Sequence, residues 1–302
     1  MSWFFITILA YFFAAITVLF DKYLLSGPIA SSKIFTFYIG FLGGLAIFLI
    51  PFVSFSLPKP HYYFLIFLAG SFFVLAIFFL AKGLQKFEVS RMVPAIGALT
   101  PLFVWLLVFL SGQKNFDLNF LFSFFCLVLG SFLITLEREK IITFQSFQLA
   151  LISAFFFALT LFFSKIIYSQ LDFWSGFISI RIAGSLFTLT FLFFKEVREE
   201  IFQKKETFKK QTGFLFVLGQ SIGSFSAILQ NWAISLVPFL FLPFVNALEG
   251  TKYVFLFFLS LVLSSKFPNI LKENFSKIVI LQKIFAILLI FVGLIILASI
   301  SL

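Results

Sequence analysis

Glu249 and Lys252 stand inside a stretch, residues 239–263, that is otherwise built mostly of Phe, Leu and Val. If that stretch crosses a bilayer, each charge costs roughly 2.5–3.5 kcal/mol at the centre of a helix, so an ionisable residue there marks a functional site by default. On a continuous helix Asn246, Glu249, Gly250 and Tyr253 fall at i, i+3, i+4 and i+7, with Lys252 beside them. Such a wall could meet a substrate amine with a carboxylate, or carry a proton during transport. The structural reading of the same residues is an ion pair, Glu249–Lys252 or Glu249–Arg181, that locks helices together.

Arg181 is the second unusual charge, midway along the apolar stretch 173–194. Its planar fork of five donors could hold a carboxylate or phosphate bidentately; the plainer reading pairs it with Glu249 or with helix-end carbonyls. Lys283, near the start of the last apolar stretch, reads as a side chain that snorkels to the interface. A stripe of small and amide side chains, Gln220, Gly223, Ser224, Ala227 and Asn231, recurs at helical spacing. It is either a packing seam or one wall of a hydrated pathway, because an unsatisfied amide in hydrocarbon costs several kcal/mol. Thr17, Thr160 and Thr100 could add hydroxyls to the same cavity. Pro94, Pro101 and Pro243 interrupt the helical hydrogen-bond ladder and, with Gly250, are candidate hinges. Trp105, Trp174 and Trp232, with Tyr11 and Tyr253, could stack on a planar ligand, although Trp174 and Trp232 lie near stretch ends where aromatic residues anchor at the interface.

Composition decides what kind of elements hold these residues. Of the 302 residues 62% are hydrophobic and only 11% are charged, with mean hydropathy +1.14, whereas soluble globular proteins are about 25% charged. The chain is therefore expected to be an all-α polytopic membrane protein. A hydrocarbon core about 30 Å thick needs about 20 apolar residues per helix. Ten such runs are visible, at 3–20, 34–53, 62–82, 92–110, 118–135, 147–168, 173–194, 213–233, 239–263 and 278–299. The first begins at Trp3 with no basic residue before it, so it reads as a retained helix rather than a cleaved signal. The 54 Phe residues read as a compositional bias, with Phe in place of Leu on lipid-facing surfaces.

One cysteine, Cys126, excludes a disulfide framework within the chain, and the single histidine, His61, sits in a short loop. With no clustered ligands, neither a metal nor a cofactor is expected. A membrane enzyme acting on a lipid head group finds no Ser/His/Asp set and no phosphate-cradling glycine loop here. The net charge of +10 would point to nucleic acid in a soluble protein; here it is read as topology. Connections one, three, five, seven and nine, with their flanks, hold 16 Lys and Arg against 3 in the even ones, which puts the odd connections in the cytoplasm and both termini outside the cell (inner) membrane. The longest connection, 195–213, is most simply a solvated loop, yet Val197, Ile201 and Phe208 would share one face of a helix lying on the membrane surface.

An internal repeat runs through the chain. Phe12-Phe13-Ala14-Ala15-Ile16-Thr17-Val18-Leu19-Phe20-Asp21-Lys22 aligns with Phe155-Phe156-Phe157-Ala158-Leu159-Thr160-Leu161-Phe162-Phe163-Ser164-Lys165, with Phe, Phe, Ala, Thr, Phe and Lys identical. Pro94-Ala95-Ile96-Gly97-Ala98-Leu99-Thr100-Pro101 repeats, uncharged, the pattern of the stretch from Pro243 to Lys252, and Gly130 and Gly293 take similar places in the fifth and tenth runs. Two repeats of five spans, residues 1–140 and 141–302, must enter the membrane in opposite senses because five is odd. Inverted repeats of this kind place a substrate site near the midplane and support alternating access.

At these residues the chain resembles the drug/metabolite transporter superfamily, specifically its EamA-type members with ten helices. The resemblance covers essentially the whole sequence, including a fourth helix with Ala98-Leu99-Thr100-Pro101-Leu102 and a ninth with an acid in its middle. Family members often show Glu-Pro in that ninth helix; Glu249 matches the acid and Gly250 replaces the proline. The Gly-Glu that often closes the fourth and ninth helices is replaced by Ser111-Gly112-Gln113 and Leu263-Ser264-Ser265. The resemblance implies a pathway lined by the first, third, fourth, sixth, eighth and ninth helices, and export or exchange of small organic metabolites. It also implies cytoplasmic termini, against the charge count. The expectation is a secondary transporter, and not an enzyme, for small polar or zwitterionic metabolites such as amino acids. The alternative is a translocase for a lipid or polyprenyl-linked head group on the same fold. The expected partners are a small-molecule substrate and membrane lipid, without nucleic acid, and the chain would act as a monomer or homodimer.

Overall fold

A computed structural model describes residues 2–25, 31–87, 89–113, 116–135, 144–202, 210–266 and 277–301, and among them there is no β-strand. The helices are α1 (Ser2–Leu25), α2 (Ser32–Gly43), α3 (Tyr63–Lys86), α4 (Val89–Leu110), α5 (Leu118–Thr135), α6 (Phe144–Tyr168), α7 (Phe173–Thr188), α8 (Lys195–Phe202), α9 (Lys210–Leu236), α10 (Leu242–Ala247), α11 (Gly250–Lys266) and α12 (Lys277–Ser301). α2 and α7 each tighten into a 3₁₀ segment, Gly44–Phe52 and Leu189–Phe193. Such an all-helical solution follows from the solvent, because a spanning backbone must satisfy its N–H and C=O groups internally.

Among the described residues, eight stretches are long and apolar enough to cross a membrane: Ser2–Phe20, Ser32–Phe52, Pro60–Lys86, Leu118–Thr135, Phe144–Tyr168, Phe173–Phe193, Phe239–Leu259 and Leu281–Ile300. The protein is thus a multi-span helical membrane protein. The fourth predicted run contributes the shorter apolar segment Ala95–Leu110, and the eighth lies on α9, which carries the amides and is not among the eight. The outer surface is strongly apolar, with Phe5, Phe48, Phe52, Phe64 and Phe193 all more than half exposed, as expected for phenylalanine facing lipid. The expected division of the chain at 140/141 falls outside the described residues.

α1 runs along α9 and touches α11; α3 lies against α6 and α7; α4 packs on α6, α5 and α10; α5 runs along α12. Small residues set these distances, since apolar side chains gain little by leaving lipid and close backbone approach supplies the attraction instead. A β-carbon at Gly130 of α5 would press on Ile290 and the Ala286 carbonyl of α12, and one at Gly293 of α12 on Leu127 and the Ser123 carbonyl of α5. Buried serines stitch neighbouring helices through backbone carbonyls: Ser153 of α6 donates to Ala76 of α3 at 2.9 Å, Ser226 of α9 to Ala10 of α1 at 2.8 Å, and Ser123 of α5 to Gly293 of α12 at 2.8 Å.

The connections sort to two ends. At one end Ser56 meets Asp172 and Ser175, Tyr62 meets Gln170, and Trp3 packs on Phe241 beside Phe120. At the other, Lys33 forms an ion pair with Glu196 at 2.9 Å, and Ser31 donates to the same carboxylate at 3.2 Å. These last contacts dock α8, a helix rather than the simple solvated loop. Val197 on its inner face is 1% exposed against Phe37, Val74 and Phe191. Phe208, expected on that face, lies outside the described residues.

Candidate functional site

The ninth predicted run is not one helix. Pro243 sits in the first turn of α10, where its missing N–H would have had no helical partner, so it starts a helix instead of bending one. The interruption comes at Leu248 and Glu249. There the N–H groups of Glu249, Thr251 and Lys252 reach back three residues, to Asn246, Leu248 and Glu249 respectively, each at 2.9 Å. Carbonyls that a regular helix would use are thereby freed and taken by side chains. Tyr11 of α1 donates to the Val245 carbonyl at 2.8 Å, and Ser131 of α5 reaches the Ala247 carbonyl at 3.3 Å. Gly250 opens α11 at a point where a side chain would run into Ser131 and Ile290; its glycine is required by that close approach.

The break carries the charges. The Lys252 ammonium donates to the Glu249 carboxylate, and the two side chains are 14% and 20% exposed. Tyr253 donates to the same carboxylate oxygen at 3.4 Å, and its ring lies 4.7 Å beneath the ammonium. Across from them is Gly97, in the repeat's uncharged copy on α4: a β-carbon there would lie 3.7 Å from the Tyr253 hydroxyl and 4.0 Å from Glu249 Oε2. The two stretches expected to be copies of one another therefore face each other, with the acid against a glycine. Gln230 of α9 donates to the Tyr11 hydroxyl at 3.2 Å, which extends this polar patch to a third helix. Asn246 is 7% exposed, and its amide makes no hydrogen bond among the described residues.

Arg181 does not reach Glu249. Its guanidinium lies over Phe73 of α3 at 4.7 Å and Phe177 at 5.3 Å, and among the described residues it makes no ion pair or hydrogen bond. Tyr168 of α6, whose ring a β-carbon at Gly176 of α7 would meet, donates its hydroxyl to Asn231 of α9 at 2.9 Å. The adjacent amides Gln230 and Asn231, about 100° apart around α9, thus meet different neighbours, one Tyr11 beside the Glu249 patch, the other Tyr168. Beyond Asn231, Lys165 is buried and donates to the Ser235 carbonyl at 2.9 Å.

Other expected residues divide. Gly223 belongs to a seam, packed on Thr17 of α1. Gln220 is half-buried and Ser224 exposed on the neighbouring stripe. The hydroxyls of Thr17, Thr160 and Thr100 each donate to the carbonyl four residues earlier, at 3.0, 2.9 and 2.8 Å, so they offer a pathway only lone pairs. Pro94 and Pro101 both lie within α4, which runs through them as one helix. Trp105 stacks on Phe109, and Trp174 and Trp232 pack on Phe173. Gln230, Tyr168 and Ser131 escaped the sequence reading. Two adjacent amides inside an apolar run were the one signal for the first of these.

No family model and no characterised protein matches the chain. A protein of known crystal structure shares the fold at a TM-score of 0.67 and 15% identity, covering 99% of this chain and 97% of its own. That likeness speaks for the architecture alone.

Proposed function

We propose that the protein is a secondary transporter of small zwitterionic metabolites, of which amino acids are the simplest, working by alternating access on an EamA-like frame of ten spans. The observation that carries this is the division of charge. A carboxylate sits on a broken helix beside Tyr11 and Gln230, and a guanidinium with no ion pair among the described residues lies over Phe73 and Phe177. A substrate carboxylate would take the open fork of Arg181. Rocking of the two halves would bring that fork toward the break, where the substrate ammonium displaces Lys252 from Glu249, and where the Asn246 amide makes no hydrogen bond among the described residues. Interrupted helices recur at the midplane sites of transporters because freed backbone groups and charges gather there.

Pairwise packing supports two inverted halves. Exchanging the first five spans for the second five turns the α1–α9 contact into α6–α3 and leaves α5–α12 unchanged, and both pairs are tightly packed. Ser153 aligns with Ala10 in the repeat, so the Ser153 and Ser226 bonds would be the same seam closed with donor and acceptor swapped. The sorting of connections to two ends fits odd connections in the cytoplasm and both termini outside. The transport itself calls for no cofactor and no nucleic acid.

The test is uptake of labelled amino acids, amines and carboxylates into proteoliposomes with and without a pH gradient. Zwitterions should move, and Glu249→Gln should abolish their transport. A variant that moves every substrate at the normal rate and pH dependence removes Glu249 from the mechanism. A fluorescent phospholipid in the same vesicles reads the alternative, head-group translocation.

A further inference from the structure

α12 packs along α5 but barely meets its neighbour in sequence, α11. Between α11, α12 and α1 lies a groove of about 200 Å³ lined by Ile8, Thr251, Val254, Ile287, Ile290 and Leu294, with Phe255 and Phe291 at its lips. Its lining is apolar, since the Thr251 hydroxyl is spent on the Leu248 carbonyl at 2.7 Å. The surface around it is hydrocarbon-facing: Phe258, Ile284, Leu288 and Ile295 are all about half exposed. From Ile287 to Leu294 the slot extends about 10 Å along α12. That volume over that length admits a hydrocarbon chain, and it is too narrow for a helix about 10–12 Å across.

One end of the groove is charged. Lys283 stands one turn before Ile287 on α12, and its ammonium lies 4.9 Å from the ring of Phe257, one turn beyond Val254 on α11. Side chains on a helix lean toward its N-terminus, so Lys283 leans from the slot toward the end that holds the ninth connection. Six residues into α12, it is about 9 Å from the helix start, a depth from which a lysine reaches the head-group layer. On the orientation proposed above that end is cytoplasmic, where basic positions between spans bind anionic head groups.

We infer that this groove is a binding site for one acyl chain of an anionic glycerophospholipid whose phosphate is held by Lys283. The site is separate from the charged break, although Ile290 in its rear wall is also the side chain that touches Gly250. A bound chain therefore braces the start of α11. The slot offers no polar wall for a head group to follow, so retention without translocation is the expected behaviour.

Native mass spectrometry of the full chain, extracted from vesicles of equal phosphatidylglycerol and phosphatidylethanolamine, tests the assignment. The wild type should retain phosphatidylglycerol preferentially. Lys283→Gln should lower that preference about fivefold, the equivalent of about 1 kcal/mol per lysine near an anionic surface. Ile287→Trp, which fills the slot, should abolish retention, while Leu288→Trp on the outer face leaves it intact. Equal retention of the two lipids by the wild type, or an unchanged preference in Lys283→Gln, overturns the inference whatever the transport assays show. Loss of phosphatidylglycerol preference in Leu288→Trp to the same degree as in Ile287→Trp overturns the placement in the groove.

Discussion

At Glu249 and Lys252 the locking and transporting readings make different demands, and one double-mutant cycle separates them. Removing one partner of a fully buried ion pair costs about 3–5 kcal/mol. With side chains 14% and 20% exposed, Glu249→Gln should fall toward the lower end of that range in thermal unfolding. Adding Lys252→Met should restore stability, because no charge is left unpaired. If the pair only locks helices, the double variant transports normally; under the proposed role it is stable and inactive. Arg181 gives the complementary prediction. Arg181→Lys keeps the charge and loses the fork, so KM for substrates bearing a carboxylate should rise about 10- to 100-fold, the weight of one charge-assisted hydrogen bond of about 1.5–3 kcal/mol. Amines without a carboxylate should be unaffected, and an equal rise for both classes would remove Arg181 from substrate binding. The sequence exposed both charges because nothing else explains them in hydrocarbon. It did not expose their partners: Gln230 points to α1 and Asn231 to α6 although they are neighbours in the chain, and only the packing of α9 decides which way each faces.

Among the elements, eight of the ten expected spans were legible because their length and apolarity answer to the bilayer, and their ends agree with the helices to within a few residues. The break was less legible. Prolines were the visible candidates, but α4 runs through Pro94 and Pro101 and Pro243 only opens α10, while the break follows from hydrogen bonds at Leu248 and Glu249 that no residue type announces. Gly250, expected as a hinge, stands beside it and lets α11 approach Ser131 and Ile290. Gly250→Val should therefore overpack this seam at a cost of about 1–3 kcal/mol, read as a lowered Tm. Ser131→Ala in the same chain should recover part of the loss, and no recovery would place the strain elsewhere. α8 offers a pH test. Hydrogen bonds from Lys33 and Ser31 hold the Glu196 carboxyl below its ordinary value of 4.5. A lowered folded pKa means that its contribution is complete above the ordinary carboxylate range and is lost as pH falls through the lowered value. Hydrogen exchange over residues 195–202 should be flat from neutral pH down to about that range and then lose protection, and Glu196→Gln should abolish the dependence on pH.

For the molecule as a whole, orientation and mechanism are linked, since an inverted pair of halves is distinguishable in the membrane only by which loops face the cytoplasm. Basic residues concentrate in the odd connections, and the structure brings the first and seventh together at one end, and the second and sixth at the other. For the first and seventh connections the charge bias therefore acts on one physical face, which is the condition for it to set orientation. The single cysteine, Cys126, is buried, so a Cys126→Ser background permits clean labelling. Lys59→Cys and Gln170→Cys should react with an impermeant maleimide in intact cells, whereas Lys86→Cys and Glu199→Cys should react only after permeabilisation. The reverse pattern would turn the protein over and side with the family resemblance against the charge count. Labelling of one site from each end in intact cells would remove the alternation of connections on which the inverted halves depend.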